Sequence, residues 1–178
     1  MKTYTIKKGK NYSGMHFRPL YKPLRMEAKV IIPQSAVYSV EPGEQTGWQK
    51  IVGFSRGHHH RNFSARFVWR IIGNHFQIAA YQYDNGNRNV RIMIDQHITD
   101  PENFRNTYTM NIEIMQERGL VRYQAFNGYV GEVMFLSLNA DLPTCGYALN
   151  PYFERPDKTT TGAPHDMLFR FNRLAFAR

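Results

Sequence analysis

Six polar side chains in the middle of the chain have the chemistry of a binding site for an acidic or hydroxyl-rich ligand. They are Arg66, Arg70, His75, Gln77, Tyr81 and Arg91. Arginine and glutamine present planar hydrogen-bond donors, and tyrosine adds a ring against which a ligand can stack. We expect these residues on one face of a sheet and interpret that face as a binding face. The alternative is an ordinary solvated surface, which antiparallel sheets commonly have.

Residues 51–95 have the alternation that would position these side chains. In residues 63–70 aromatic and aliphatic residues alternate with more polar ones, and residues 75–83 alternate in the same way. A period of two predicts strands with one buried face. Turns are predicted at residues 71–74 and 84–87, the second being rich in residues that tolerate positive φ. The stretch therefore predicts one short strand followed by a three-strand meander.

The register of this meander follows from pairing Arg70 with His75, because apolar residues then face apolar residues. The predicted pairs are Trp69 with Phe76, Phe67 with Ile78, Ala65 with Ala80, and then Ala80 with Val90, Ile78 with Ile92 and Phe76 with Ile94. The opposite face then holds Ser64, Arg66, Arg70, His75, Gln77, Tyr81, Asn89, Arg91 and Asp95.

Further strands are predicted on both sides of this stretch. Residues 24–32 and 108–115 alternate with a period of two, and Asn127-Gly128 is the strongest kind of short hairpin signal that a sequence can offer. No segment has a convincing helical period.

Two further segments have weaker patterns. Residues 37–40 are a short strand candidate, and residues 154–164, rich in Thr, Gly and Pro, predict a loop. About ten or more strands without helices predict an all-β fold. We expect one domain over residues 1–178, built as a two-sheet antiparallel jelly-roll sandwich. A closed barrel is the alternative.

Composition narrows the class of partner. The net charge of +9 attracts an acidic partner, whether nucleic acid, an acidic glycan or a protein surface. Cys145 is the single cysteine, so we expect a fold without a disulfide. Neither a secretion signal nor a membrane span is recognisable, which predicts a virion or cytoplasmic location.

Two groups of residues could indicate a metal site or a glycosidase active site. His58-His59-His60 is a consecutive triplet, and in an extended chain at most two of its imidazoles converge, so we predict no metal site and no cofactor. Glu113 and Glu117 are spaced like part of the carboxylate strand of retaining glucanases, but Met115 stands between them where those enzymes resemble one another in having Asp. We therefore predict no catalytic pair there.

A polysaccharide lyase is the enzyme alternative. Such an enzyme needs a base near a sugar C5 proton and a cation to neutralise the uronate, roles for which Tyr81, His75, Arg66 and Arg91 are chemically adequate. Alginate lyases carry a Gln-x-His strand motif that this sequence lacks. Arg interleaved with Tyr also leaves single-stranded nucleic acid as a less favoured partner.

The segments GFSRGHHHRNFSARFVWR (residues 53–70) and NPYFERPDKTTTGAPHD (residues 150–166) resemble a family of short β-sandwich proteins of unknown function from bacteria and tailed phages. The resemblance implies a concanavalin A-like jelly roll. One departure is Glu154-Arg155-Pro156, where relatives usually continue with glycines.

Together the residues and the resemblance predict a non-enzymatic structural or binding protein. We expect either a phage virion component (capsid decoration, fibre or tail-associated) or a lectin-like glycan-binding module, with a lyase or glycoside hydrolase as the alternative. Its partners would be other chains of an oligomer or larger particle, or an acidic glycan.

Overall fold

The computed structural model describes residues 1–14, 18–32, 34–36, 47–100, 106–128, 130–136, 142–154, 163–164 and 166–178. The strand candidate at residues 37–40 lies outside the described residues. So do residues 155–162, which are most of the loop predicted at residues 154–164.

Twelve strands make up the described fold. They are β1 (Lys2–Ile6), β2 (Pro19–Tyr21), β3 (Arg25–Ile32), β4 (Gln49–Arg56), β5 (Phe63–Ile72), β6 (His75–Asp84), β7 (Asn87–His97), β8 (Asn106–Met115), β9 (Leu120–Phe126), β10 (Val130–Leu136), β11 (Cys145–Leu149) and β12 (Met167–Ala177). The helical segments among the described residues are the three-residue 3-10 turns Gln34–Ala36 and Gln116–Arg118, and none there is long or apolar enough to cross a membrane.

The strands form two six-stranded antiparallel sheets. Sheet 1 has the order β1-β12-β3-β8-β9-β10, and sheet 2 has the order β2-β11-β4-β5-β6-β7. The predicted two-sheet antiparallel sandwich is therefore confirmed, in preference to the closed barrel.

The core lies between the inner faces of the two sheets. On β3 every second residue is buried, from Met26 to Ile32, as the alternation predicts. Aromatic rings join the layers edge to face: Phe67 of sheet 2 lies 5.6 Å from Tyr123 of sheet 1, and Trp69 lies 5.1 Å from Phe169, centroid to centroid. Such contacts add to the hydrophobic burial that holds the sheets together.

The first hairpin of the meander has the predicted faces but a different register. Ile72 pairs with His75, so the loop is only Gly73-Asn74, and Trp69 lies opposite Ile78 rather than Phe76. Gly73 has φ 54, a conformation that lets a two-residue loop close the hairpin. Because the shift is two residues, every side chain keeps its predicted face.

The second hairpin is where the predicted register is wrong. Asn85 and Gly86 both have positive φ, so they form a two-residue loop that pairs Asp84 with Asn87 and Ala80 with Arg91, one residue away from the prediction. A bulge at Met93 then shifts the pairing, so that Gln77 lies opposite Asp95. As a result the first half of β7 has its faces exchanged relative to the prediction, and the second half does not.

Candidate functional site

A cleft of about 400 Å³ opens on the face of sheet 2 that points away from the core, called the outer face below. It is lined chiefly by cationic, aromatic and imidazole side chains, with one carboxylate among the described lining residues. These side chains include Lys50, His59, His60, Arg66, Tyr81, Tyr83, Arg88, Tyr152 and Glu154.

Arg66 lies at the floor of this cleft because of its position on β5. Its cross-strand neighbours are Gly53 on β4 and Tyr81 on β6. A Cβ at Gly53 would overlap the Cβ of Arg66 and the carbonyl oxygen of Ala65, so only glycine allows β4 to approach β5 this closely. The sheet thus places the Arg66 guanidinium beside the Tyr81 ring.

The Arg66 side chain is buried without a counter-ion among the described residues. It is 8% exposed, no carboxylate pairs with it there, and its Nε has no hydrogen-bond partner in the described part of the chain. Burial lowers the pKa of its guanidinium, while the neighbouring hydroxyls of Tyr81 and Tyr147 act in the opposite direction. A buried, unpaired charge is unfavourable, so this position would gain from an anion.

Lys50 is the second buried cation of the cleft, and it does have a counter-ion. Its ammonium forms an ion pair with the Glu154 carboxylate and lies 5.4 Å from the ring centroid of Tyr81 and 5.9 Å from that of Tyr152. Burial lowers the pKa of Lys50, and the hydrogen bond to Glu154 partly offsets that effect.

One wall of the cleft is residues 152–154, called the rim segment below. Its backbone pairs with β4: Lys50 N–H donates to the Tyr152 oxygen at 2.8 Å, and Tyr152 N–H donates to the Lys50 oxygen at 3.0 Å. The buried Gln49 amide donates to the Glu154 oxygen at 3.1 Å and accepts from the Glu154 N–H. Phe153 is buried beneath the segment. The rim segment is therefore fixed to sheet 2 at several points.

The loop between β4 and β5 contributes two of the three consecutive histidines. The half-buried His59 forms a hydrogen bond through Nδ1 with the Tyr147 hydroxyl, and the His60 ring lies 4.9 Å from the ring of Tyr83. Burial, followed by the charge of Arg66, lowers the pKa of His59 to about 4, so its imidazole is neutral near pH 7. The described residues hold no group of three side chains suited to a metal ion, and the predicted absence of a metal or cofactor stays a prediction.

Three of the predicted site residues lie on the same outer face but away from the cleft. Arg70 Nε donates to Gln77 Oε1 at 2.8 Å, Gln77 Nε2 donates to Asp95 Oδ2 at 2.8 Å, and His75 Nδ1 lies 2.7 Å from Asp95 Oδ1. The Arg70 guanidinium also stacks over Trp48 at 4.1 Å. We call this set the Arg70 network.

Arg91 is not on the outer face, and that part of the prediction is wrong. The tight Asn85-Gly86 loop turns Arg91 to the other side of β7, where its guanidinium lies 5.4 Å from the ring of Phe135 on β10. Asn89 changes faces with it. Arg88, which pairs with Tyr83, lines the cleft instead.

Several lining residues were missed by the sequence interpretation. Lys50 and Glu154 belong to segments 104 positions apart, so no local pattern connects them. Tyr83 had a local signal, because it follows Tyr81 by two positions on the same strand and so shares its face.

No family model and no curated protein matches the chain. Solved structures do match it. An alginate lyase from Klebsiella pneumoniae has a TM-score of 0.59 at 13% identity, covering 87% of this chain and 59% of the lyase. The mixed linkage glucan PUL GH16 protein of Bacteroides ovatus has a TM-score of 0.55 at 9% identity, with 98% of this chain and 80% of that one covered. A functionally unknown protein from Saccharomyces cerevisiae has a TM-score of 0.54 at 10% identity, with 90% and 72% covered.

At these identities the likeness is one of fold alone. The chain is a β-sandwich of the concanavalin A-like jelly-roll type, as the sequence resemblance implied. An origin in bacteria or phages stays a prediction.

Proposed function

We propose that the protein binds an acidic saccharide in the cleft of sheet 2, as a carbohydrate-binding protein. The observation that carries the proposal is the Arg66 guanidinium, which is buried in the cleft without a carboxylate partner among the described residues. A uronate carboxylate has the planar geometry and charge to pair with it.

The rest of the cleft suits a sugar. The half-buried ring of Tyr83 and the exposed ring of Tyr152 offer faces for pyranose stacking, whereas Tyr81 is buried beside Lys50. The cleft volume of about 400 Å³ lies within the range of about 300–1,000 Å³ usual for small-molecule sites. The alginate lyase and the mixed linkage glucan GH16 protein share this fold, which supports a saccharide as the ligand class.

Calorimetric titration with a uronate oligosaccharide tests the proposal. Replacing Arg66→Gln should weaken binding by about 2–5 kcal/mol, because the ligand carboxylate then lacks its buried partner. Arg70→Gln is the matched control: it changes an arginine of the same strand and face outside the cleft and should alter the affinity less than about threefold. A parent protein that does not bind, or an Arg66→Gln variant that binds equally well, would contradict the proposal.

A lyase activity is the second candidate, favoured by the His59–Tyr147 pair in and beside the cleft. In such an elimination a base removes the C5 proton, a C4–C5 double bond forms, and the C4–O bond breaks with its oxygen taking up a proton. Neutral His59 has an unprotonated ring nitrogen, which at a pKa of about 4 is a weak base, and Arg66 would stabilise the charge that develops on the uronate. Ultraviolet absorbance of an unsaturated product, abolished in His59→Gln, would establish this activity; its absence leaves binding alone.

A role as a phage virion component, assembly with other chains and a nucleic-acid partner remain predictions. Native mass spectrometry of purified protein tests assembly directly.

A further inference from the structure

Glu154 is the single carboxylate among the described residues that line the cleft, and it is held in place from two sides. Its backbone carbonyl accepts from the buried Gln49 amide and its backbone N–H donates to that amide's oxygen, while its carboxylate pairs with the Lys50 ammonium. This residue is therefore a fixed negative charge inside a site that otherwise attracts anions.

The two buried cations of the cleft are left in different states. Lys50 is neutralised by Glu154, whereas Arg66 has no such partner in the described part of the chain. In the register of β4 and β5, Lys50 pairs with Val68, two positions along the strand from Arg66. Both side chains line the cleft, and the charge of Arg66 contributes to lowering the pKa of Lys50, so the two cations lie near each other. Two carboxylates on adjacent sugar units could reach both cations if Lys50 were free.

We propose that Glu154 determines how many carboxylates the saccharide can present to the cleft. Because Glu154 forms an ion pair with Lys50, the cleft accepts one ligand carboxylate, at Arg66. A second ligand carboxylate is repelled by the Glu154 carboxylate. This inference rests on the proposed function and names its ligand class: a saccharide whose uronate units alternate with neutral units, in preference to a contiguous oligouronate. Juxtaposed like charges are the element that rejects the contiguous ligand.

Titration calorimetry with two tetrasaccharides tests this, one of four consecutive uronates and one in which uronates alternate with N-acetylhexosamines. The parent should bind the alternating ligand about tenfold more tightly. Glu154→Gln should raise the affinity for the tetrauronate about tenfold and leave that for the alternating ligand within about twofold. The matched control is Glu117→Gln, which changes the net charge equally at an exposed position in the Gln116–Arg118 turn and should change neither affinity.

The increase in tetrauronate affinity in Glu154→Gln must also depend on Lys50. The double variant Glu154→Gln with Lys50→Met should therefore show no such increase. If Arg66→Gln abolishes binding but Glu154→Gln brings no gain for the tetrauronate, Glu154 is not selective and the proposed function stands. A parent that binds neither ligand overturns both proposals. Should Glu154→Gln fail to fold, the parent alone decides: equal or tighter binding of the tetrauronate overturns the role of Glu154.

Discussion

Arg66 and Arg70 lie on the same strand and the same face, yet they sit in different environments. They are four positions apart along β5, which is roughly 13 Å at about 3.3 Å per residue. Arg70 is half-buried, stacks on Trp48 and donates to Gln77. Arg66 is almost fully buried and lacks an acidic partner among the described residues.

The difference arises from what covers each end of the outer face. The cleft end is walled by the rim segment and by the loop that carries His59, which remove water from Arg66 without supplying an anion to it. At the other end a chain of hydrogen bonds across β5, β6 and β7 satisfies Arg70. A polar sheet face is therefore not a single site, because the segments that pack over it give its two ends different environments.

The largest expected effect concerns the inner face of β5, because both the cleft end and the Arg70 end of the outer face depend on it. Trp69 is fully buried and packs against Phe169, so Trp69→Ala should lower the free energy of unfolding by about 3–5 kcal/mol. Ile72→Ala, at the exposed end of β5, should change it by less than about 1 kcal/mol. Urea denaturation measures both, and an unchanged midpoint for Trp69→Ala would show that the inner and outer faces are inverted.

A smaller effect is expected from Gly53, which supports only the cleft end. In Gly53→Ala the added Cβ would overlap the backbone of Ala65 and the side chain of Arg66, so β4 and β5 must separate at a cost of about 1–3 kcal/mol. Saccharide affinity should fall with it, since Arg66 moves. Gly131→Ala is the control, because it crowds Met93 at another edge of the sandwich and should lower stability while leaving affinity unchanged. Equal saccharide affinities in the parent and in Gly53→Ala would show that the close approach of β4 to β5 is not needed for binding.

The smallest effect separates the two arginines most directly. Arg66→Met removes a buried charge that has no carboxylate partner among the described residues, so it should raise the free energy of unfolding of the ligand-free protein by about 1 kcal/mol while abolishing binding. Arg70→Met breaks a satisfied network and should lower stability by about 0.5 kcal/mol. Thermal unfolding of both variants without ligand shows whether each substitution raises or lowers stability. A destabilised Arg66→Met would mean that Arg66 is structural.

The sequence was most informative where the chain follows its period of two without interruption. Alternation in β5 and β6 correctly placed Trp69 in the core and Arg66 and Tyr81 together on the outer face, even though the pairing was shifted by two. An even shift preserves faces, so the loop length did not matter there.

The errors lie where the alternation is interrupted. The bulge at Met93 and the two-residue Asn85-Gly86 loop decide which side of β7 holds Arg91, and neither is readable from hydrophobic periodicity. A second register shift between Lys50 and Val52 conceals the outward position of Lys50. The rim segment was missed for another reason, since its pairing with β4 joins residues about a hundred positions apart and depends on the closed sandwich.

That long separation has a consequence for how the protein comes into being on the ribosome. The hairpin that carries Arg66 and Tyr81 consists of near neighbours in sequence, whereas the Gln49 clamp waits for Glu154, 105 positions later. Contacts so distant in sequence are slow to form because a long loop must first be closed. The cleft that we propose as the saccharide site is therefore complete only once residues 152–154 have been added and have docked on β4. Because the rim segment is one wall around Arg66, part of the cost of burying this guanidinium arises when that segment docks.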